Sequence, residues 1–319
     1  MLKIHQRHTK VALQWNKGDS LPRGAAWIDL LDPDASERAA AESWIAAPLP
    51  ERDEISTLGL SSHPHEDQRV LCLHAHLYSD DPRGASAPLG MLVTQEQLVT
   101  LRYQPSRAFD QAVACLSKID DQPRGADLLV ILLDAITNDV ADQMQDIAGD
   151  VARLSDDIFD DTRKKTGELR QKLIRIGQLE ARLAHYRIAL LGIGRVVGFV
   201  QHRAPDWIDE EAMACIKVAA NDLKVLDQFD EQLTGKLQFL QDAVLGFINT
   251  DQNAVMKLLT VASVVTIPPV ILAGVWGMNF RHMPELDKVW GYPMALAALF
   301  VSMLLPLIWF AIRGWISRD

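Results

Sequence analysis

Two uncharged stretches close the chain, and they constrain its fold more than anything before them. Leu258 to Phe280 runs 23 residues without a charged side chain, and Met294 to Ile312 runs another 19. At about 1.5 Å per residue, helices of these lengths reach roughly 35 Å and 29 Å, enough for a hydrocarbon core of about 30 Å. Two membrane crossings are therefore expected at the C-terminal end. Residues before Met256 are rich in charge, so the expected molecule is a large aqueous part joined to a small membrane part.

Whole-chain averages hide this split. The 319 residues are 48% hydrophobic with a net charge of −10, and the mean hydropathy is +0.01. About 250 residues precede the first apolar run, enough for one or two cored domains. The negative balance argues against nucleic-acid binding, which needs clustered Lys and Arg, and favours cations as partners. Cys72, Cys115 and Cys215 are far apart and form no CxxC or Cys/His cluster, so neither a disulfide framework nor a structural zinc site is expected. Met1 to Arg7 lacks the apolar core of a secretory signal, so the aqueous part should stay in the cytoplasm. Both termini are then cytoplasmic and 281–293 is a short outside loop. Lys257, Arg313 and Arg318 would flank the inner surface against Arg281 and Lys288 outside, a weak positive-inside bias.

Residues 1–125 read as an α/β domain. Ala26 to Leu31 is strand-like, and Asp32-Pro33-Asp34-Ala35-Ser36 turns into a helix with Asp34 or Ser36 as cap. Arg69 to Tyr78 alternates, placing Leu71, Leu73, Ala75 and Leu77 on one face and His74 and His76 on the other. Those histidines fit solvent-facing strand positions better than a metal pair. Leu89 to Val93 and Gln97 to Tyr103 form a further pair of short strands.

From Asp127 the pattern is helical. Residues 126–205 read as an acidic helical hairpin, and 206–280 as a stalk helix continuous with the first membrane helix, whose membrane part is about 258–280. Asp206 is the expected cap. No proline interrupts Asp206 to Pro268. A helix of about 70 residues spans roughly 105 Å and needs neighbours; identical copies around a parallel axis are the simplest supply. Ile216, Ala219, Leu223, Leu226, Leu233, Leu237, Leu240, Val244 and Phe247 form a stripe at spacings of three or four, with one gap of seven. The second membrane helix is 294–312, followed by a tail, 313–319.

The C-terminal motifs are specific. Val255-Met256-Lys257-Leu258-Leu259-Thr260, Pro268, Ala273-Gly274-Val275-Trp276-Gly277-Met278-Asn279-Phe280, Met283-Pro284-Glu285-Leu286 and Gly291-Tyr292-Pro293 resemble, in order, the CorA family of divalent-cation channels. Trp27-Ile28-Asp29-Leu30 and Leu98-Val99-Thr100-Leu101-Arg102 resemble it more loosely. The resemblance implies a pentameric funnel in the bacterial inner membrane, an α+β membrane protein whose first membrane helix lines the pore. Gly277, Met278 and Asn279 would form its selectivity filter.

Physical reasoning gives that implication a mechanism. Mg²⁺ sheds water reluctantly, so an entrance can read the hydrated ion through acceptors that hold its waters. A ring of Asn279 carbonyls, above helix C-terminal ends, offers such acceptors; capping a helix is the other use of an asparagine there. Helical spacing picks out Met256, Leu259 or Thr260, Ser263, Ile267, Val270 or Ile271, and Gly274 as one face, the expected pore lining. A ring of Leu259 or Met256 could gate by dewetting. Pro268-Pro269 withdraws the amides that would bond the carbonyls of Val264 and Val265.

The resemblance also places Asn253 in the pore and makes Asp242 a regulatory site for intracellular Mg²⁺ between subunits. Asp227, Asp230 and Glu231 are further candidate ligands on the stalk. Asp156, Asp157, Asp160 and Asp161 on the hairpin fit a solvated face better. A divalent ion held across an interface would offset repulsion among carboxylates, and its loss would loosen the pore.

One position departs from the family: Arg281 stands where many members carry an acid, with Glu285 and Asp287 still in the outer loop. The expected function is divalent-cation transport, of Mg²⁺ and also Co²⁺ or Ni²⁺, without a tightly bound cofactor; the cation is substrate and regulator. Two alternatives are a zinc transporter of the ZntB type, proton-coupled in one version, and a membrane-anchored metal sensor or scaffold. The chain carries no P-loop, nucleophile elbow or clustered His/Asp metal motif, so no enzyme is expected.

Overall fold

The computed structural model describes residues 1–6, 13–16, 22, 24–56, 63–64, 69–78, 87–119, 123–160, 166–278, 283 and 288–315. Two compact units emerge: Met1–Thr162 with Gln171–Gln241, and Arg163–Arg170 with Asp242–Asp319.

The first unit is built on a seven-stranded sheet. Its strands are β1 (Leu2–Gln6), β2 (Leu13–Gln14), β3 (Ala25–Leu31), β4 (His63–Pro64), β5 (Leu71–Leu77), β6 (Ala87–Val93) and β7 (Leu98–Arg102), and its first helices are α1 (Ala35–Ile45), α2 (Arg52–Ser56) and α3 (Arg107–Leu116). Strand order is β2-β1-β3-β7-β6-β5-β4, all antiparallel except the β3/β7 pair. The β6–β7 hairpin and β3 follow the expected strands. β1 carries too short a pattern to be read from sequence.

Asp34 settles the choice of cap for α1. Its carboxylate accepts from Glu37 N–H at 2.8 Å, and Glu37 accepts from Asp34 N–H at 3.0 Å, a reciprocal capping box. Ser36 only donates to Asp34, at 2.6 Å.

Where β3 and β7 run parallel, the motifs Trp27-Ile28-Asp29-Leu30 and Leu98 to Arg102 meet in register. Asp29 and Arg102 are each 3% exposed. Arg102 Nη2 donates to Asp29 Oδ2 at 2.8 Å and Nε to Oδ1 at 3.0 Å. Thr100 donates to the same carboxylate at 2.9 Å, and Trp27 Nε1 donates to Thr100 at 3.0 Å. The guanidinium also lies over the Phe109 ring, 4.3 Å from its centroid. A buried pair satisfied in this way specifies strand register, since removing either partner strands a charge in the core. The loose N-terminal resemblance is thus carried by residues that hold the sheet together.

Helices α4 (Gly125–Phe159) and α5 (Thr166–Arg203) form the hairpin. Their facing sides are joined by Tyr186 donating to Gln143 at 3.1 Å and by the Arg182–Asp150 pair at 3.2 Å. Asp156, Asp157 and Asp160 are exposed, while Leu154 and Ile158 on the same turns are buried. Asp161 lies outside the described residues. α5 also covers the sheet: a side chain at Gly192 would stand 2.9 Å from His76 N, so only glycine permits that approach. The Tyr78 and Tyr186 rings stack with centroids 4.1 Å apart. His76 is buried, 6% exposed, and not solvent-facing as the strand alternation suggests. Alternation marks an amphipathic strand only when one face meets water, and here helices cover both faces.

α6 (Glu210–Trp276) is one helix of 67 residues running through Pro268 and Pro269. It starts later than expected. The turn at 206–208 is not helical, and the cap is Asp209, which accepts from Ala212 N–H at 2.8 Å. α7 (Gly291–Ile312) begins three residues before the expected start at 294 and also passes a proline, Pro306. Three described helices are long and apolar enough to cross a membrane, and burial separates them. The apolar window of α5 is 50% buried within the chain, whereas those of α6 and α7 are 6% buried. α5 spends its apolar surface on α4 and the sheet; the other two leave theirs exposed, as lipid-facing or subunit-facing helices must.

Candidate ion-conduction site

The candidate pore residues occupy a defined side of α6. Within the second unit, Val261, Pro268, Pro269, Leu272 and Trp276 are half-buried and Val265 is 7% exposed, a stripe at spacings of three or four. Leu259, Ser263, Ile267, Val270 and Gly274 each stand two positions from a member of that stripe. A two-residue step turns an α-helix by about 200°, so they lie on the far side. All are exposed, as are Asn253, Met256, Thr260 and Ile271; Ile267 is 53% and Val270 62% exposed. Burial within one chain uses one side of the helix and leaves the predicted pore side bare.

The chemistry of that side is almost wholly apolar. Thr260 turns its hydroxyl into its own helix, donating to Met256 O at 2.8 Å, and Thr266 does the same to Ala262 O at 2.7 Å. Neither hydroxyl needs water or an ion for satisfaction. This side therefore presents few side-chain ligands that an ion could use. At its end α6 tightens: Gly277 N–H donates to Ala273 O at 2.9 Å and Met278 N–H to Val275 O at 3.3 Å. Asn279, Arg281, Glu285 and Asp287 lie outside the described residues.

The stalk acids divide by environment. Asp227, Glu231 and Asp242 are exposed. Asp230 is 2% exposed and fills the seven-residue gap in the apolar stripe between Leu226 and Leu233. Its Oδ2 accepts from Arg187 Nε of α5 at 2.6 Å, and Arg187 Nη2 continues to Thr234 Oγ1 at 2.8 Å. Oδ1 is buried with no partner. Asp230 therefore fastens α6 to α5, which a carboxylate does at modest benefit when paired and at severe cost when not. The gap in the stripe was the sequence signal of this clamp; Arg187, 43 positions away, could not be paired from sequence.

Among the described residues no three His, Cys, Asp or Glu side chains gather as a metal site. A family model described as a CorA-like Mg²⁺ transporter protein matches residues 23–313. The chain belongs to that family. The magnesium transport protein CorA of Haemophilus ducreyi is 30% identical over 312 residues, 96% of each chain. In structure, the complete CorA magnesium transporter from Methanocaldococcus jannaschii aligns with a TM-score of 0.79 at 19% identity, over 99% of this chain and 98% of that one. The cytoplasmic domain of ZntB from Vibrio parahaemolyticus aligns at 0.58 and 15% identity, over 79% of this chain and 97% of that domain; at that identity the likeness concerns fold. CorA-family proteins are transporters or channels and not enzymes, and their shared fold has the soluble α/β part and long helices found in this chain.

Membership in the CorA family leaves one local feature unexplained. Cys72 and His74 are two apart on β5, and Cys72 Sγ lies 3.3 Å from His74 Nε2. A search of the sequence for CxxC spacing passes over this pair, because strand residues meet at i and i+2.

Proposed function

We propose that the protein is a homopentameric channel of the bacterial inner membrane that conducts hydrated Mg²⁺, and also Co²⁺ or Ni²⁺, down the electrochemical gradient. Both termini are cytoplasmic and 281–293 faces the periplasm. The observation that carries this reading is the bare side of α6: Asn253, Met256, Leu259, Ser263, Ile267, Val270 and Gly274 are exposed opposite the buried stripe and lead to Gly277, Met278 and Asn279. Copies arranged around an axis would bring these sides together. Asn279 then offers a ring of neutral acceptors to the waters of the ion, since Mg²⁺ gives up its hydration shell reluctantly. The bore beneath is apolar, and Met256 and Leu259 are the rings that close it by dewetting.

Regulation falls to the exposed carboxylates. Asp242, with Asp227 and Glu231, holds intracellular divalent cations between neighbouring subunits, while Asp230 sets the seat of α6 through Arg187. When internal cation is plentiful the carboxylate repulsion is offset and the pore rests closed; depletion loosens it. Arg281 at the mouth lowers the capture rate of cations, and Glu285 and Asp287 counter it.

Proteoliposomes test the reading. Mg²⁺ influx is expected from the wild type, with a loss of at least about tenfold in Asn279→Ala, the scale of one lost ordering interaction of about 1.4 kcal/mol. Influx unchanged by that substitution refutes the filter. Flux of Zn²⁺ that follows an imposed pH gradient, with no Mg²⁺ flux, replaces the proposal by zinc transport. The absence of any divalent flux leaves the sensor or scaffold reading in its place.

A further inference from the structure

The C-terminal end of α7 carries more structure than a helix stop requires. Arg313 N–H donates to Trp309 O at 3.0 Å, Gly314 N–H to Ala311 O at 3.1 Å and Trp315 N–H to Phe310 O at 3.0 Å. Gly314 has a φ of +70°, and the last two bonds, closing around that left-handed residue, make a Schellman motif. The chain is thereby folded back, and the Trp315 ring lies 5.3 Å from that of Phe310. One turn before Arg313, Trp309 is 50% exposed and carries the Arg313 guanidinium over its face, 5.1 Å from the ring centroid. Three carbonyls that a helix end leaves without donors are satisfied, as apolar surroundings demand. The other end of α7 is also aromatic, with Trp290 and Tyr292 78% and 75% exposed. From Tyr292 to Trp309 the helix rises about 26 Å, close to a hydrocarbon core of about 30 Å, so both aromatic groups fall at headgroup level.

The geometry points to an anionic phospholipid as the ligand of this end: Trp309, Arg313 and Trp315 form a seat for one headgroup whose phosphodiester is not balanced by a cation of its own. Arg313 is exposed, and among the described residues its side chain meets the Trp309 ring and no carboxylate. With one face on the indole, the planar guanidinium offers its N–H donors at its edge, in the fork that matches a pair of phosphate oxygens. The half-exposed rings of Trp309 and Trp315 lie beside it and suit the glycerol and upper acyl chain, so the seat fits an amphiphile and not a free phosphate ion. A helix C-terminus carries partial negative charge and by itself repels an anion, so the guanidinium must supply the attraction. A zwitterionic headgroup neutralises its own phosphate, and the seat therefore favours phosphatidylglycerol over phosphatidylcholine. Such a lipid fixes the depth of α7 at the point where its uncharged run ends. The seat presupposes that α7 crosses the membrane and is independent of which ion is conducted.

Native mass spectrometry of the full-length protein in neutral detergent tests the seat, with phosphatidylglycerol and phosphatidylcholine of identical acyl chains titrated side by side. Wild type is expected to hold phosphatidylglycerol at least about fivefold more tightly, the equivalent of about 1 kcal/mol for one arginine at a headgroup. Arg313→Gln should lose that factor. Trp309→Leu keeps an apolar side chain but removes the ring that orients the guanidinium, and should lose part of it. Lys288→Gln, which removes an equal charge at the other end of α7, and Asn279→Ala should keep it, so the preference is read apart from conduction. A preference that survives Arg313→Gln, or that Lys288→Gln lowers equally, answers to net charge and overturns the seat. Equal retention of the two lipids by wild type overturns the seat and leaves the membrane crossing standing, whereas retention of neither overturns both. Should Arg313→Gln fail to fold by circular dichroism, Trp309→Leu decides: an unchanged preference overturns the seat.

Discussion

Glu210–Gln241 and Asp242–Trp276 are consecutive parts of one helix, yet they are built for different solvents. The first part buries Ile216, Leu223, Leu233, Leu237 and Leu240 at 7% exposure or less, and its other sides carry Lys, Asp, Glu and Gln together with a few exposed apolar residues such as Val218 and Val225. The second part reverses the arrangement: its most apolar window is 6% buried, and residues such as Leu258, at 69% exposure, are bare. An amphipathic stripe with charged flanks is what water selects, because only one side can be hidden within the chain. A helix apolar all round has no water to avoid, and its side chains are left for lipid or for other copies. Even Asp230 belongs to this contrast. A buried carboxylate is tolerable in the first part because Arg187 reaches it; the second part carries no charge after Lys257.

Identical substitutions on the two parts should therefore behave oppositely. Leu240→Ala removes a side chain that is 0% exposed and should cost about 2–5 kcal/mol in thermal or denaturant unfolding. Leu259→Ala, at 56% exposure, should leave that unfolding unchanged and instead raise resting Mg²⁺ leak in liposomes. Equal destabilisation by both would break the distinction between the two parts. Lysine sharpens it further. Val264→Lys places a charge in the membrane stretch at about 2.5–3.5 kcal/mol and should reduce membrane insertion in a fractionation assay. Val218→Lys, on the exposed side of the aqueous part, should change stability by no more than about 0.5 kcal/mol.

The clamp gives a smaller effect. Arg187→Met leaves the Asp230 carboxylate buried and unpaired, and because Arg187 is itself 44% exposed the loss should be about 1.5–3 kcal/mol. Calorimetry of the full-length protein measures it, and Arg187→Met/Asp230→Leu should recover most of it. The gentlest test concerns pH within the aqueous unit. His5 packs against Trp27 with ring centroids 4.8 Å apart, and burial holds its imidazole below the usual range. The neutral form is then favoured in the folded state. As pH falls below about 6.5 the unfolded chain takes up a proton that the folded one refuses, so stability should fall, by at most about 1.4 kcal/mol per pH unit. His5→Gln should flatten that slope; an unaltered slope would show that another group carries it.

Much of the membrane part was legible because lipid imposes a rule on composition alone. Absence of charge over a set length needs no knowledge of neighbours, so the two long apolar helices and the side of α6 facing away from its own chain could be read from spacing. The aqueous part was legible only where local chemistry decides. The start of α1 near Asp34, the β6–β7 hairpin and the two hairpin helices are of that kind. The start of α6 was not, because Asp206 and Asp209 are equally good caps on paper and the non-helical turn at 206–208 chose between them. His76 was misplaced for a related reason: alternation cannot tell a strand with one wet face from one covered twice.

By itself, then, the sequence determined which solvent each stretch of the chain would meet, since transfer free energy depends on the residues a segment carries. Partnership was decided only in three dimensions. Arg187 finds Asp230, Arg102 finds Asp29, and Cys72 turns toward His74 under α2 because the fold brings them within hydrogen-bond reach. A side chain's type states what it needs, and the tertiary structure alone determines which neighbour supplies it.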